Sequence, residues 1–408
     1  MFRRPSRGLL LSKFGLLTIS VIALTACGAG APAAGGGPTL ATVPHTPSPL
    51  GAPIAAGPLA IASLPATEKA KKPTKTAKPS AATHHYASVS GPGGVVFGIA
   101  DGSIPSLSAA GQAQELDGMK AMGMTSVRVD ASWYNIQFNG PDSYNWAPLD
   151  ATVSAIRSAG LTADLIIDQC PPWAAASGAS GNFAQPADPA AYGNFAAALA
   201  KRYYGKGANY FEIWNEPNIQ AFWSPSPDPA AYTADLKAAY TAIKAVTPSA
   251  LVITGGTAPA ADSSNSYDDV TFVQDMYADG AQGYFDALGD HPYTYPNTPD
   301  GVILGSAWSE MDQTSPSLRS LMADHGDSGK KIWITEYGAP TSGTQNNVSE
   351  AQQSDEMVQT IAQARQLGWI GSVYLYTWED GGGDGFGILN SDGSQKPAYS
   401  AVAAALSN

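Results

Sequence analysis

Hydrophobic and polar residues alternate along residues 91–408 in two kinds of segment. Short runs rich in β-branched and aromatic residues are separated by longer, alanine-rich segments with helical spacing of their apolar residues. The short runs predict eight strands, at 94–100, 126–133, 161–168, 210–216, 251–256, 285–293, 331–338 and 371–379. Strands that alternate with helices favour a parallel sheet, and eight such units close a barrel. The pattern therefore predicts an α/β fold, a (β/α)8 TIM barrel over residues 91–408.

The segments between the strands carry helix signals. Helices are predicted at 113–123, 149–160, 190–205, 230–246 and 349–368. Several of them end at glycine, which commonly closes a helix. Residues 385–402 predict the closing turn and the last helix of the barrel.

The first 26 residues have the pattern of an export signal. A basic start is followed by an uncharged apolar stretch, Phe14–Ala26. This stretch is shorter than the roughly 20 residues that span a bilayer, so it predicts a signal peptide. It ends in Leu-Thr-Ala-Cys, which resembles the lipobox of bacterial lipoproteins, and the resemblance implies lipidation of Cys27. An ordinary cleaved signal and an uncleaved anchor are the alternatives.

Residues 27–90 are composed mostly of alanine, glycine, proline, threonine and serine, with one lysine-rich patch. Isolated large apolar residues in such a segment cannot build a core, so it predicts a flexible, disordered linker. Together with Cys27 it predicts an exported protein anchored in a membrane at the cell surface, or a secreted one if no lipid is attached.

Charge and cysteine content exclude several functions. Residues 1–90 hold nine basic residues and one acidic residue, a net charge of +8, so the remainder must carry −20 to give the −12 of the whole chain. A body this acidic repels nucleic acid. Two cysteines are too few for a disulfide framework or a cysteine-based zinc site. No motif for a metal or a nucleotide cofactor occurs in the sequence.

Polar and aromatic residues cluster where the predicted strands end, which is where TIM barrels place their catalytic groups. Glu216 ends the fourth strand and Glu336 ends the seventh, on opposite sides of the barrel mouth. Two carboxyl groups that converge on one ligand are what glycosidic bond cleavage requires, one protonated and the other ionised. The remaining candidates at strand ends are Arg128 and Trp133 on the second strand, His291 and Tyr293 on the sixth and Trp378 on the eighth.

Four motifs occur in order along these strands. They are Trp-Asn-Glu-Pro at 214–217, His-Pro-Tyr at 291–293, Thr-Glu-Tyr-Gly at 335–338 and the tryptophan that closes the eighth strand. Together they resemble the clan of retaining (β/α)8 glycoside hydrolases that includes the cellulase-like family 5 and family 39. The resemblance covers the whole predicted barrel.

The resemblance implies roles for several residues of these motifs and for Arg128. Glu216 would be the acid/base and Glu336 the nucleophile of a double displacement. Asn215 would bind the sugar hydroxyl next to the reacting carbon, and His291 would contact the sugar or the surroundings of the acid. Tyr293 and Arg128 would hold the nucleophile ionised, although Arg128 could instead pair structurally with Asp130. Trp378 would form the floor under the sugar ring.

Further aromatic residues lie on or near the loops at the strand ends, where sugar subsites form. Trp133 and Trp173 are the candidates for such contacts, with Trp223, Tyr295 and Trp308, and hydrophobic packing explains each of them equally well. Two alternatives to a hydrolase remain open. One is a non-catalytic carbohydrate-binding surface lipoprotein, and the other is a transglycosylase that uses the same residues. In either case the partner is a polysaccharide or oligosaccharide, and we expect a monomer.

Overall fold

The computed structural model describes residues 94–299, 305–344, 346–381 and 383–407. The predicted signal peptide, the linker and Cys27 lie outside these residues, so they remain predictions, as does the domain boundary at residue 91.

Eight parallel strands form a closed barrel in which each strand pairs with its neighbours in sequence, and β8 pairs with β1. The predicted (β/α)8 fold is confirmed. The strands are β1 Val96–Ala100, β2 Ser126–Asp130, β3 Thr162–Ile167, β4 Ala208–Ile213, β5 Leu251–Thr254, β6 Ala287–Asp290, β7 Lys331–Tyr337 and β8 Ile370–Tyr376.

Helices surround the barrel between successive strands. They are α1 Ala109–Met122, α2 Trp133–Ile136, α3 Ala147–Ser158, α4 Pro189–Tyr203, α5 Pro229–Val246, α6 Asp269–Ala278, α7 Ala307–Glu310, α8 Leu318–Asp324, α9 Glu350–Gln366 and α10 Pro397–Ser407. The five predicted helices and the last helix are all present, with ends shifted by a few residues. In the described part of the chain, no helix combines the length and the hydropathy needed to cross a membrane.

Several strands end earlier than the hydrophobic pattern predicts. The second strand stops at Asp130 because the Ser132 side chain accepts a hydrogen bond from the Asn135 amide and caps α2. Trp133 therefore opens a helix and does not close a strand. The sixth strand ends at Asp290, so His291 already belongs to the following loop.

Two hydrophobic clusters stabilise the barrel from inside and outside. The interior is filled by side chains from six strands, Val96, Ala100, Tyr210, Ile253, Ala287, Trp333 and Tyr374. A larger apolar layer lies between the strands and the helices.

The sequence Asp-Pro-Ala-Ala-Tyr occurs twice, at 188–192 and 228–232, and has the same structural role in both places. Each aspartate caps the helix that its proline begins. The Tyr192 hydroxyl donates to the Ile167 carbonyl at the end of β3, and the Tyr232 hydroxyl donates to the Ile213 carbonyl at the end of β4. Each repeat thus ties a helix to the end of the strand that precedes it, next to the mouth.

Candidate active site

The chain leaves β4 through an unusual backbone path that directs Glu216 to the mouth. Trp214 and Glu216 have positive φ angles of 73° and 45°, which are costly for residues other than glycine. The Trp214 indole donates to the Phe222 carbonyl, and the Glu216 amide donates to the Gly256 carbonyl. These bonds hold the strained segment, as is typical of functional sites.

Glu216, Glu336 and His291 converge at one point of the mouth. One carboxylate oxygen from each glutamate and a ring nitrogen of His291 all lie within 4.8 Å of one another. The two glutamates are 13% and 16% exposed, whereas His291 is fully buried behind them. Two residues 120 positions apart in sequence therefore meet at a site that a ligand can reach.

Glu336 is held by two donors. Arg128 Nη1 lies 2.6 Å from Oε1, and the Tyr293 hydroxyl donates to Oε2 at 2.9 Å. Burial alone would raise the pKa of Glu336, but the charges of His291 and Arg128 and these hydrogen bonds outweigh it and lower the pKa below the ordinary value. Glu336 is therefore placed to stay ionised.

Glu216 has the opposite environment. Burial raises its pKa above the ordinary value, and the charge of Glu336 adds to the rise. The hydrogen bond of 3.0 Å to His291 Nδ1 and the charges of His291 and Arg128 act in the other direction without cancelling it. The two carboxyl groups thus differ in the direction of their pKa shifts.

Arg128 is fixed beneath the site by a buried partner, Glu212 on β4. Its Nε lies 2.6 Å from Glu212 Oε2, and both side chains are at most 2% exposed. The alternative partner considered from the sequence, Asp130, is not within salt-bridge distance of Arg128 in the described structure. Arg128 Nη2 also donates to Asn215 Oδ1 at 2.7 Å. Because arginine can only donate, the Asn215 amide must present its oxygen to Arg128. The hydrogens on Asn215 Nδ2 are then available to a ligand.

A chain of hydrogen bonds fixes the hydrogen positions on His291. The Thr335 hydroxyl donates to Glu212 Oε1 at 3.1 Å and lies 3.0 Å from His291 Nε2. A hydroxyl has one hydrogen, so Thr335 must accept from His291, and Nε2 must carry a hydrogen. His291 Nδ1 and Glu216 Oε1 then share a single hydrogen between them.

Gly256 makes this chain possible by close approach. A Cβ atom at this position would lie 2.3 Å from His291 Nε2 and 2.4 Å from the Thr335 hydroxyl. Any side chain would push both residues apart. The Gly256 amide also donates to Glu212 Oε1 at 2.9 Å.

Trp378 and Trp133 are not at the mouth, which corrects their predicted contact with sugar. Trp378 is 3% exposed and packs against α1, where a Cβ on Gly118 would lie 2.7 Å from its ring. Its other ring contact is Tyr399 of α10. Trp133 is fully buried and stacks on Phe195. Both tryptophans fill the layer between strands and helices because the chain turns outward where β8 and β2 end.

Tyr376, the last residue of β8, takes the place predicted for Trp378. It is half-buried, packs against the interior cluster and makes an edge contact with Phe386. Burial, followed by the charge of Glu336, raises its pKa above the ordinary value of tyrosine. Tyr376 is the aromatic residue of β8 that faces the mouth.

The other predicted aromatic residues divide in the same way. Trp173 is 37% exposed on the loop after β3, with its indole donating to the Gln137 carbonyl, so a sugar contact remains a prediction for it. Tyr295 is half-buried and makes an edge contact with Tyr293. Burial, followed by the charge of Glu216, raises the pKa of Tyr295 above its ordinary value. Trp223 and Trp308 are buried in aromatic clusters.

Glu212, Thr335 and Tyr376 are the site residues that the sequence analysis missed. Glu212 had a signal, because it is a charged residue inside an apolar strand and buried charges need partners. Tyr376 also had one, since its position is two residues after the interior residue Tyr374 and therefore on the same face of the strand. Thr335 lies in the motif at 335–338 but received no role there, because a threonine within a strand is ordinary.

A metal ion does not fit among Glu216, His291 and Glu336, although their atoms are close enough to hold one. Both oxygens of Glu336 already accept hydrogen bonds, and both ring nitrogens of His291 have protein partners. A metal would have to displace these bonds as well as the positive charge of Arg128.

The geometry can be compared with known proteins. The model of the family "Cellulase (glycosyl hydrolase family 5)" matches residues 98–376. No curated protein matches the chain. Among solved structures, a family 39 glycoside hydrolase from the gut symbiont Bacteroides cellulosilyticus WH2 shares 21% identity at a TM-score of 0.59, over 76% of this chain and 63% of that one.

Two further structures are similar to the same extent. A monomeric beta-xylosidase from Caulobacter crescentus CB15 is 20% identical, with a TM-score of 0.59, over 76% of this chain and 67% of its own. A GH5_18 protein from Streptomyces cattleya in complex with GlcNAc is also 20% identical, with a TM-score of 0.59, over 77% and 80%. These identities establish a shared barrel, and this chain spans less than two thirds of the Bacteroides protein. The family match extends over most of the chain, from the first strand to the eighth, and shows that the protein belongs to the cellulase family, glycosyl hydrolase family 5.

Proposed function

We propose that the protein is a retaining glycoside hydrolase that cleaves O-glycosidic bonds of a polysaccharide or oligosaccharide by double displacement. The observation that carries the proposal is the approach of Glu216 and Glu336, with one oxygen of each within 4.8 Å. Retaining enzymes place their carboxyl groups about 5–5.5 Å apart, whereas inverting enzymes leave about 6.5–9.5 Å for a water molecule. The opposite pKa shifts of the two groups supply the acid and the nucleophile.

In the first step, Glu336 attacks the anomeric carbon as Glu216 gives its proton to the departing glycosidic oxygen. The C–O bond to the leaving sugar breaks and an ester bond to Glu336 forms. Arg128 and Tyr293 keep Glu336 ionised before the attack. In the second step Glu216 takes a proton from water, the water oxygen attacks the anomeric carbon, and Glu336 leaves as a carboxylate.

His291 serves Glu216 and does not touch the substrate, because it is fully buried. Burial lowers the pKa of His291, but the charge of Glu336 and the hydrogen bond to Glu216 outweigh it and raise the pKa above its ordinary value. Its Nε2 hydrogen is directed to Thr335 and its Nδ1 donates to Glu216 Oε1, so Oε2 carries the hydrogen that the first step transfers. Burial and the charge of Glu336 raise the pKa of Glu216 against this bond, which keeps the acid protonated for the first step.

The remaining contacts position the sugar. Asn215 Nδ2 is the donor available to the hydroxyl beside the reacting carbon, since its oxygen is held by Arg128. Tyr376 is proposed as the aromatic floor, and Trp173 as a contact further along the cleft. The solved neighbours include a beta-xylosidase and a structure with GlcNAc, so pyranose sugars are the class of ligand to try first.

Two variants assayed on an aryl glycoside test the proposal. Glu336→Ala should be inert, because no other group can form the ester bond. Glu216→Ala should retain turnover of a substrate with a good leaving group and gain rate with added azide, which replaces the activated water. Normal turnover by Glu336→Ala would contradict the proposal. An inert wild-type protein that binds glycans would support the carbohydrate-binding alternative.

We also propose that Cys27 is lipidated and that the barrel acts at the cell surface on a flexible linker. The support is the lipobox-like sequence before Cys27 and the composition of residues 27–90. A second function, glycosyl transfer to another sugar, would use the same ester intermediate, and product analysis at high acceptor concentration distinguishes it from hydrolysis.

A further inference from the structure

A second group of acidic residues lies outside the proposed active site, where α6 begins and α7 ends. One carboxylate oxygen each from Asp268, Asp269 and Glu310 lies within 4.8 Å of the other two. Asp269 is 1% exposed, whereas Asp268 and Glu310 are half-buried, so the group opens to solvent on one side. Within the described residues, no lysine or arginine forms a salt bridge with any of the three.

The unusual feature of this group is an oxygen with no donor. Asp269 Oδ1 accepts the Val270 amide at 2.8 Å, but Oδ2 is buried and has no hydrogen-bond partner in the described structure. Asp268 Oδ1 caps α6 through two amides, which leaves its other oxygen for a ligand. The N-terminus of α6 explains why acids occur here, but it does not satisfy Asp269 Oδ2.

Behind the group, Asp290 adds a further buried carboxyl whose Oδ2 also has no partner among the described residues. Buried negative charge at this density requires a compensating positive charge or protons.

We propose that Asp268, Asp269 and Glu310 form a binding site for a calcium ion. Carboxylate oxygens are the ligands that hard divalent cations prefer. Oxygens that share one Ca²⁺ at about 2.4 Å are at most about 4.8 Å apart, and the three oxygens meet this limit. Mg²⁺ demands regular octahedral geometry at shorter distances, which an irregular set from two helix ends does not offer.

The presence of unpartnered oxygens separates this site from the Glu216, His291 and Glu336 group. There, hydrogen bonds already occupy both oxygens of Glu336, and the positive charge of Arg128 opposes a cation. A calcium ion at the second site would join α6 to α7. Trp308 of α7 packs edge-on against Tyr337, which stacks near Tyr293 of the proposed active site. The site is independent of the proposed hydrolase activity, because it rests only on the geometry of these acids.

Calcium titration of the full-length protein after removal of divalent ions with EDTA tests the inference. Isothermal titration calorimetry should show one Ca²⁺ per chain, and Ca²⁺ should raise the Tm while Mg²⁺ raises it much less. Asp269→Asn and Glu310→Gln should each abolish both effects. Asp269→Asn should also raise the Tm of the calcium-free protein, because its amide supplies the missing donor.

Asp117→Asn is the matched control, since Asp117 is an exposed acid on α1 far from the group in sequence. It should bind Ca²⁺ like the wild type. The inference is overturned if the wild-type protein shows neither binding heat nor a Tm shift, since protons alone then neutralise the acids. It is also overturned if the calcium-dependent shift persists in both Asp269→Asn and Glu310→Gln, because the ion then binds elsewhere.

Discussion

At the scale of single residues, the surroundings of Glu216 and Glu336 shift the pKa values of the two carboxyl groups in opposite directions. The Tyr293 hydroxyl donates to Glu336 Oε2 and lowers the pKa of Glu336. Tyr293→Phe removes this bond, so the pKa of Glu336 rises and the protonated, inactive nucleophile persists to higher pH. A hydrogen bond to a charged group contributes about 1.5 kcal/mol, or about one pH unit. We expect the acidic limb of kcat/KM against pH to move upward by about that amount.

The control for this change is Tyr295→Phe, because Tyr295 contacts Tyr293 edge-on and has no hydrogen bond to Glu336. Its acidic limb should stay at the wild-type position. An unmoved acidic limb in Tyr293→Phe would show that the charges of His291 and Arg128 set the ionisation of Glu336 without Tyr293.

The hydrogen on His291 Nε2 gives a prediction for the basic limb. In Thr335→Val the acceptor for this hydrogen is lost, so the charged form of His291 becomes less stable and the pKa of His291 falls. Because the charge of His291 lowers the pKa of Glu216, its loss raises that pKa, and the basic limb of kcat/KM should move to higher pH. Thr335→Ser keeps the hydroxyl and should restore the wild-type profile. A pH profile of Thr335→Val that matches the wild type would refute the assigned hydrogen positions, whatever happens to stability.

At the scale of elements, Tyr376 at the end of β8 and Trp378 two residues later have different roles, because Trp378 packs against α1. Trp378 lies against Gly118 of α1, so Trp378→Ala should cost about 3–5 kcal/mol of unfolding free energy through the cavity it leaves. The milder Trp378→Phe should keep the wild-type KM. Tyr376→Ala should raise KM strongly, because it removes the proposed floor of the sugar site. Chemical denaturation and steady-state kinetics of the three variants check this, and a raised KM in Trp378→Phe would contradict it.

The pattern of the sequence predicted all eight strands and their order because each strand is a short apolar run between helical segments. It did not predict where the strands stop. The Ser132 cap ended the second strand early. After Tyr376 the side chains no longer alternate between the two faces of the strand, and the Thr377 hydroxyl donates to the Ala100 carbonyl. Trp378 therefore points outward. Side-chain direction beyond a strand end depends on such tertiary bonds, which periodicity does not encode.

The convergence of Glu216 and Glu336 could be predicted because the fold alone brings the ends of the fourth and seventh strands to one mouth. The buried residues that hold the two glutamates in place could not be predicted in this way. The contacts of Glu212 with Arg128 and Thr335 join three strands, and no local pattern indicates which buried polar groups will meet. The sequence therefore indicated the two proposed reacting groups and their convergence, but not the buried residues that hold them.

At the scale of the whole molecule, the proposed lipidation of Cys27 would determine where the barrel acts. Cys27→Ser removes the only atom that lipid can join in the lipobox-like sequence, so the protein should move from the membrane fraction to the soluble exported fraction in a bacterial host. Cell fractionation and metabolic labelling with a fatty acid measure this. Cys170→Ser is the control, because Cys170 is a buried thiol of the barrel and should not affect fractionation. Unchanged fractionation of Cys27→Ser would exclude the lipid anchor without affecting the barrel chemistry.

Trapping of the covalent intermediate examines the proposed chemistry at its source. Incubation with an activated 2-deoxy-2-fluoro glycoside slows the second step more than the first, so a glycosyl-enzyme should accumulate. Mass spectrometry should then show one sugar on the peptide that contains Glu336, and Glu336→Gln should show none. Turnover of the parent glycoside with inversion at the anomeric carbon, and no adduct on Glu336, would contradict double displacement.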